Sequence, residues 1–77
     1  MEKRYVPVVV RIDECGKKDP KIIEFENRKY TIDRIISRGP AACYSVGGVG
    51  IKYTCEVLGQ ITELWEEKDQ WFVVKKG

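Results

Sequence analysis

The chain has 77 residues, 14 of them basic and 12 acidic, a net charge of +2 and no histidine. Such a length is expected to form a single domain, residues 1–77, near the lower limit for folding without metals or disulfides. The interspersed charge neither requires nor excludes a polyanionic partner, and lack of histidine removes the commonest general base and metal ligand at neutral pH.

The three cysteines, Cys15, Cys43 and Cys55, are widely spaced, odd in number and without a Cys-x-x-Cys pair. That is unlike an extracellular disulfide framework. Charged Glu2–Arg4 precedes only a short apolar run, Val6–Val10, broken by Pro7. Neither a signal peptide nor a membrane span is expected, and a reducing cytoplasm is the default location.

Tyr5–Ile12 reads as the first strand, with Val6, Val8, Val10 and Ile12 on one face and Tyr5, Pro7, Val9 and Arg11 on the other. Pro7 has no amide proton to donate, so it points to a sheet edge or a strand start. Asp13–Pro20 is a polar loop by composition. Lys21–Glu26 and Lys29–Ile36 form a hairpin across Asn27–Arg28, pairing Phe25 with Tyr30 and Ile23 with Ile32. Arg is a poor second turn residue there, so a longer or bulged loop stays open. A one-residue slip would turn Tyr30 and Ile32 to solvent, which favours their shared face.

Ser37–Pro40 breaks the pattern, and Ala41–Val46 is a short strand or a packed loop. Gly47, Gly48 and Gly50 then lead into Ile51–Val57, where Ile51, Tyr53, Cys55 and Val57 alternate with Lys52, Thr54 and Glu56. Period two with β-branched and aromatic residues marks a strand buried on one face. The glycines supply either a left-handed turn or a close backbone approach. Leu58–Gly59 closes a hairpin onto Gln60–Glu66, Glu67–Gln70 is a charged turn, and Trp71–Lys75 is the last strand. No useful helical stripe appears. Strands and turns at this spacing predict an all-β fold, a small antiparallel barrel or rolled sheet of five to six strands. The expected core is Val8, Val10, Ile23, Phe25, Tyr30, Ile32, Ile51, Tyr53, Val57, Leu64 and one face of Trp71–Val74.

Several segments together resemble a family of short, uncharacterised proteins of Firmicutes, chiefly clostridia. They are Tyr5–Val8, Ile23–Phe25, Tyr30–Ile35, Ala41–Ala42, Gly47–Cys55, Leu64–Trp65 and Trp71–Val73. The family position matching Phe25 is more often Trp. The one matching Leu58 is often glycine, which implies a two-residue turn at Leu58–Gly59. The resemblance implies no established activity. More distantly, the layout is similar to small bacterial domains encoded near translesion DNA polymerases, which implies an association with nucleic acid.

Candidate binding residues follow from aromatic and basic side chains placed together. Arg34, Arg38 and Lys52 would form a basic patch for phosphate, with Tyr44 and Trp65 for base stacking. The competing reading is that Arg34 lays its stem over the barrel mouth and pairs with an acid. If Tyr30 and Ile32 face the core, Arg34 continues on that side and Asp33 faces out. The glycine run lacks the helix and the Gly-Lys-Ser/Thr of a phosphate loop, so a hairpin or bulge is preferred.

Trp65 discriminates between loops. A two-residue loop at Leu58–Gly59 sets Cys55 against Thr62 and Tyr53 against Leu64, so Ile61 and Trp65 face out beside Lys52. A three-residue loop would set Trp65 against Tyr53 in the core. Trp71–Val74, apolar on both faces, is either enclosed within one chain or buried in a dimer. The acidic residues form no catalytic pair and the cysteines no metal spacing, so neither catalysis nor a cofactor is expected. The expected function is a non-catalytic binding module. The leading form is a nucleic-acid-associated domain taking single strands; the alternative is a protein-interaction adaptor or small homodimer using an aromatic surface.

Overall fold

The alternation centred on Ile51–Val57 becomes a long strand flanked on both sides in a sheet. In the computed structural model, which describes residues 2–42 and 49–75, eight strands follow one another. They are β1 (Glu2–Tyr5), β2 (Val8–Ile12), β3 (Lys18–Phe25), β4 (Arg28–Thr31), β5 (Arg34–Ala42), β6 (Val49–Val57), β7 (Gln60–Glu67) and β8 (Gln70–Lys75). Five form one antiparallel sheet in the order β1-β8-β7-β6-β5, and three form a second, β2-β3-β4. The fold is all-β, two rolled sheets stacked as a sandwich rather than a closed barrel. No helix among the described residues is long and apolar enough to cross a membrane.

Two runs of chain each contribute to both sheets, which is why the five to six expected strands become eight. The first bends at Val6–Pro7: β1 pairs with β8, the Val6 N–H donates to the Trp71 carbonyl (2.9 Å), and β2 then pairs with β3. Pro7, with no N–H of its own, accepts from Glu24 N–H at this corner (2.9 Å). The second bends at Ile32–Asp33, where Ile32 N–H donates to Lys21 O and Asp33 N–H to Glu56 O, both at 2.8 Å. Arg34 therefore opens a strand of the large sheet instead of continuing the core face of Tyr30 and Ile32.

Three hairpins close with two-residue turns whose residues are all left-handed: Glu26–Asn27, Leu58–Gly59 and Lys68–Asp69. Such turns match the twist of the strands they join. The first is displaced from the expected Asn27–Arg28, because Asn accepts the second left-handed position better than Arg does. Ile23 consequently pairs with Tyr30, not Ile32. A shift of two residues preserves the side of every residue, so Ile23, Phe25, Tyr30 and Ile32 still share a face.

Lys18–Pro20 belongs to β3 and not to the preceding loop. Pro20 is tolerated inside a strand because the β2–β3 ladder shifts there, leaving Val10 opposite Pro20. Ser37–Pro40 likewise stays in strand, and Pro40 lies on the sheet's edge strand, where a missing N–H costs no ladder bond. The expected turn at Gly47 and Gly48 lies outside the described residues.

Between the sheets Ile23, Ile32, Tyr53, Cys55, Val57, Leu64 and Trp71 are buried. Val6, Val8, Val10, Tyr30, Ile35, Ile51 and Val73 pack partly against them. A second cluster, Trp65 and Phe72 with Ala41 and Val74, lies on the opposite face of the large sheet. Trp71–Val74 is thus enclosed on both faces within one chain: Trp71 and Val73 face inward, Phe72 and Val74 outward.

Gly50 bears out the expectation of a close backbone approach. A Cβ there would strike the Glu66 carbonyl, whereas one at Gly39 meets nothing within 4 Å. Gly50→Ala should therefore destabilise the fold by about 1–3 kcal/mol, because backbone must move. Gly39→Ala should stay within about 1 kcal/mol of wild type. Urea denaturation of the two variants measures this, and equal effects would contradict the close approach.

Candidate functional site

Register decides which nominated side chains can act together. On the outer face of the large sheet Lys52 stands opposite Trp65, and Trp65 opposite Phe72. The two-residue loop is present as expected, with Tyr53 opposite Leu64 and Cys55 opposite Thr62. Ile61 is exposed, but Trp65, although it points outward, is only 7 % exposed. Its indole stacks on the Phe72 ring (centroids 5.9 Å apart, planes 6° apart), and Tyr5 meets the same ring edge-on at 5.8 Å. The Lys3 ammonium sits 4.6 Å from the centre of the Phe72 ring and that of Lys52 5.8 Å from the Trp65 ring. The expected exposed stacking platform is therefore a covered stack, with Tyr5 as its exposed aromatic member.

The three nominated cations do not converge. Between Ile35 and Ser37 the β5–β6 ladder shifts by one residue, leaving Ile36 out of register. From the Arg34–Glu56 pair onward, an unbroken ladder would set Arg38 opposite Lys52 on the outer face. The bulge sets it opposite Tyr53 instead, so it points between the sheets. There it donates to Lys18 O (2.6 Å) and Asp19 Oδ1 (2.7 Å), with its guanidinium 5.5 Å from the centre of the Tyr53 ring. Arg34 and Lys52 keep the outer face, each facing a carboxylate: Glu56 at 3.7 Å and Glu63 at 3.1 Å. Tyr44 lies outside the described residues, as does Cys43.

Arg38 is one half of a polar closure at one end of the roll. The other half is Lys18, whose ammonium donates to Glu66 Oε2 (2.8 Å) and Asp69 Oδ1 (2.6 Å) and so ties β3 to β7 and its turn. Hydrogen bonds to Asp69 and then Glu66 hold the Lys18 ammonium protonated well above the ordinary lysine range. In return Lys18 holds the Asp69 carboxyl down, and Arg38 does the same to Asp19. Burial pushes the Tyr53 phenol and the Cys55 thiol up, so both stay neutral. Sequence reasoning missed this closure because Lys18 reads as loop, and its carboxylate partners are about 50 positions away.

The opposite end carries an apolar pocket of about 330 Å³, walled by Ile23, Phe25, Val57 and Val73, with Tyr30, Gln60 and Thr62 supplying its polar edges and Leu58 on its lining. Phe25 and Tyr30, expected in the core, are half-buried because they wall this opening. Leu58 is 74 % exposed and holds φ +52°. Its signal in the sequence was a bulky apolar residue just before the glycine of a tight turn. Comparison with family models, curated proteins and solved structures finds no match for this chain. What defines its class is the fold itself, a two-sheet antiparallel roll with one charged end and one apolar end.

The ion-paired end makes stability depend on pH at both extremes. Asp19 and Asp69 titrate lower in the fold than in the open chain, so their contribution is present above about pH 4 and lost as pH falls through their folded values. Lys18 titrates higher, so its contribution is present below about pH 10.4 and lost as pH rises further. Melting temperature measured against pH should plateau between these limits. Lys18→Met should melt lower at neutral pH and show shallower slopes on both flanks. Unchanged flanks would show that the closure contributes nothing.

Proposed function

We propose that this protein is a non-catalytic binding module that accepts an apolar side chain of a protein partner in its end pocket. The observation that carries the reading is Leu58. A leucine in the left-handed region costs about 1–3 kcal/mol of local strain, and asparagine or glycine would fit the turn better. Yet leucine stands there, largely exposed, on the lining of an apolar opening. Glu26 and Lys68 hold the same left-handed position in the other two turns, so what singles out Leu58 is a large exposed apolar side chain at a surface opening, which a contact accounts for best. The pocket lies at the small end of the ~300–1,000 Å³ range of ligand sites. A small molecule filling it would meet Leu58 only where that side chain lines the opening, whereas a protein surface would also cover its outer part. Cys15 and Cys55 are free thiols, which suits action in a reducing cytoplasm.

One observation favours a second reading, single-stranded nucleic acid on the outer face: exposed Tyr5 lies beside Lys3, whose ammonium is 3.4 Å from the Tyr5 hydroxyl, on the same face as Lys52. Against it, Lys3, Lys52 and Arg34 each already face a carboxylate. An amide titration with a mixed oligonucleotide at two salt concentrations separates the readings, because phosphate contacts weaken steeply with salt.

Leu58→Asn is the decisive variant. It should raise the melting temperature by relieving the turn, and should release any partner held by wild type at high salt. Lys52→Ala should leave that partner bound. Undiminished binding by Leu58→Asn would overturn the pocket reading. Salt-sensitive shifts at Lys3, Tyr5 and Lys52 with oligonucleotide would establish the second reading.

A further inference from the structure

The two sheets present four edge strands, and three are protected against further pairing. Strand β1 carries Glu2, Lys3 and Arg4, β4 carries Arg28 and Lys29, and β5 combines a bulge with Pro40. Charge, proline and bulges are the usual means of blocking an edge. Strand β2, Val8–Val9–Val10–Arg11–Ile12, has one charge in five residues and no bulge of its own, and the ladder shift opposite falls in β3. Among the described residues no strand pairs its second edge. Val9 is 58 % and Ile12 61 % exposed.

Antiparallel geometry fixes which backbone groups that edge offers. Pro7 O accepts from Glu24 on the β3 side, and Val6 N–H donates to Trp71 on the other. With strict alternation, Val9 and Arg11 then turn to β3, and Val8, Val10 and Ile12 turn their N–H and C=O groups to the open edge. At its Val8 end the edge adjoins a groove of about 540 Å³ that also includes Val6, Asp69 and Trp71 in its lining.

We propose that β2 is a self-association edge, occupied by β2 of a second copy across a two-fold axis through Val10. This surface is distinct from the end pocket. In that register Val10 pairs with its own counterpart, and Val8 with Ile12 of the copy. The outward groups of all three residues are then satisfied on both chains. Each exposed Ile12 falls beside Val8 of the other chain, over the apolar part of the groove. Arg11 meets Val9 of the copy, so the two arginines never stand opposite each other, as they would in a register centred one residue later. The interface is isologous and closes at two chains, joining the small sheets into one of six strands.

The test is sedimentation equilibrium of the full chain with amide exchange at two protein concentrations. Wild type should be a concentration-dependent dimer in which Val8, Val10 and Ile12 amides gain protection as concentration rises. Val9→Lys sets a cation opposite Arg11 twice across the axis and should weaken the dimer at least about tenfold with the fold unchanged. Val9→Lys combined with Arg11→Glu makes both contacts attractive and should restore it. A wild type that stays monomeric at millimolar concentration would overturn the proposal. So would a dimer indifferent to Val9→Lys, or one whose β2 amides exchange as they do in the monomer.

Discussion

The two-residue turn at Leu58–Gly59 sets the register of β6 on β7, and with it the side on which each of their side chains lies. It places Tyr53 and Leu64 in the space between the sheets and Lys52 and Trp65 on the outside. One residue more in that loop would reverse β7, putting Trp65 into the core and Leu64 into solvent. The neighbouring register follows, since Trp65 pairs with Phe72 and Glu66 with Trp71. The turn achieves this with a leucine in a conformation leucine disfavours, so global pairing outweighs local preference there.

From that register the molecule acquires two apolar clusters on opposite faces of one sheet. The inner one fills the roll. The outer one is covered by side chains of its own sheet, Lys3 and Lys52 lying over the rings. Long lysine stems can shield aromatic surface while their ammonium groups stay wet. The roll is then finished differently at its two ends. Lys18 and Arg38 tie β3 across to the large sheet by charge-assisted hydrogen bonds at one end, and the other stays open and apolar between two tight turns. That asymmetry is what directs attention to Leu58 and not to the basic residues.

Much of the fold was legible because period-two alternation reports sidedness directly. Ile23, Ile32, Tyr53, Val57 and Leu64 all read as inward and are buried, whereas the residues alone leave two- and three-residue loops open at Leu58–Gly59 and the family resemblance favours the shorter. Corners and bulges were not legible. A strand that changes sheets at Pro7, or a chain that bends at Ile32–Asp33, keeps its alternation while changing its partner. The extra residue at Ile36 carries no compositional mark, yet it moves Arg38 from the outer face to the space between the sheets. The candidate site suffers most from this, because the bulge parts Arg38 from Arg34 and Lys52. Exposure of Trp65 also depended on lysines and a phenylalanine contributed by other strands, which no local pattern reveals.

The register is the claim on which these readings stand, and nuclear Overhauser contacts from the Trp65 indole test it most directly. Contacts from the indole to the Phe72 ring and the Lys52 side chain, with Leu64 methyls near the Trp71 indole, are the result expected here. Contacts from the Trp65 indole to Tyr53 and Ile23 would place it between the sheets. They would contradict the two-residue turn, and with it the positions assigned to Leu58, Lys52 and the apolar pocket.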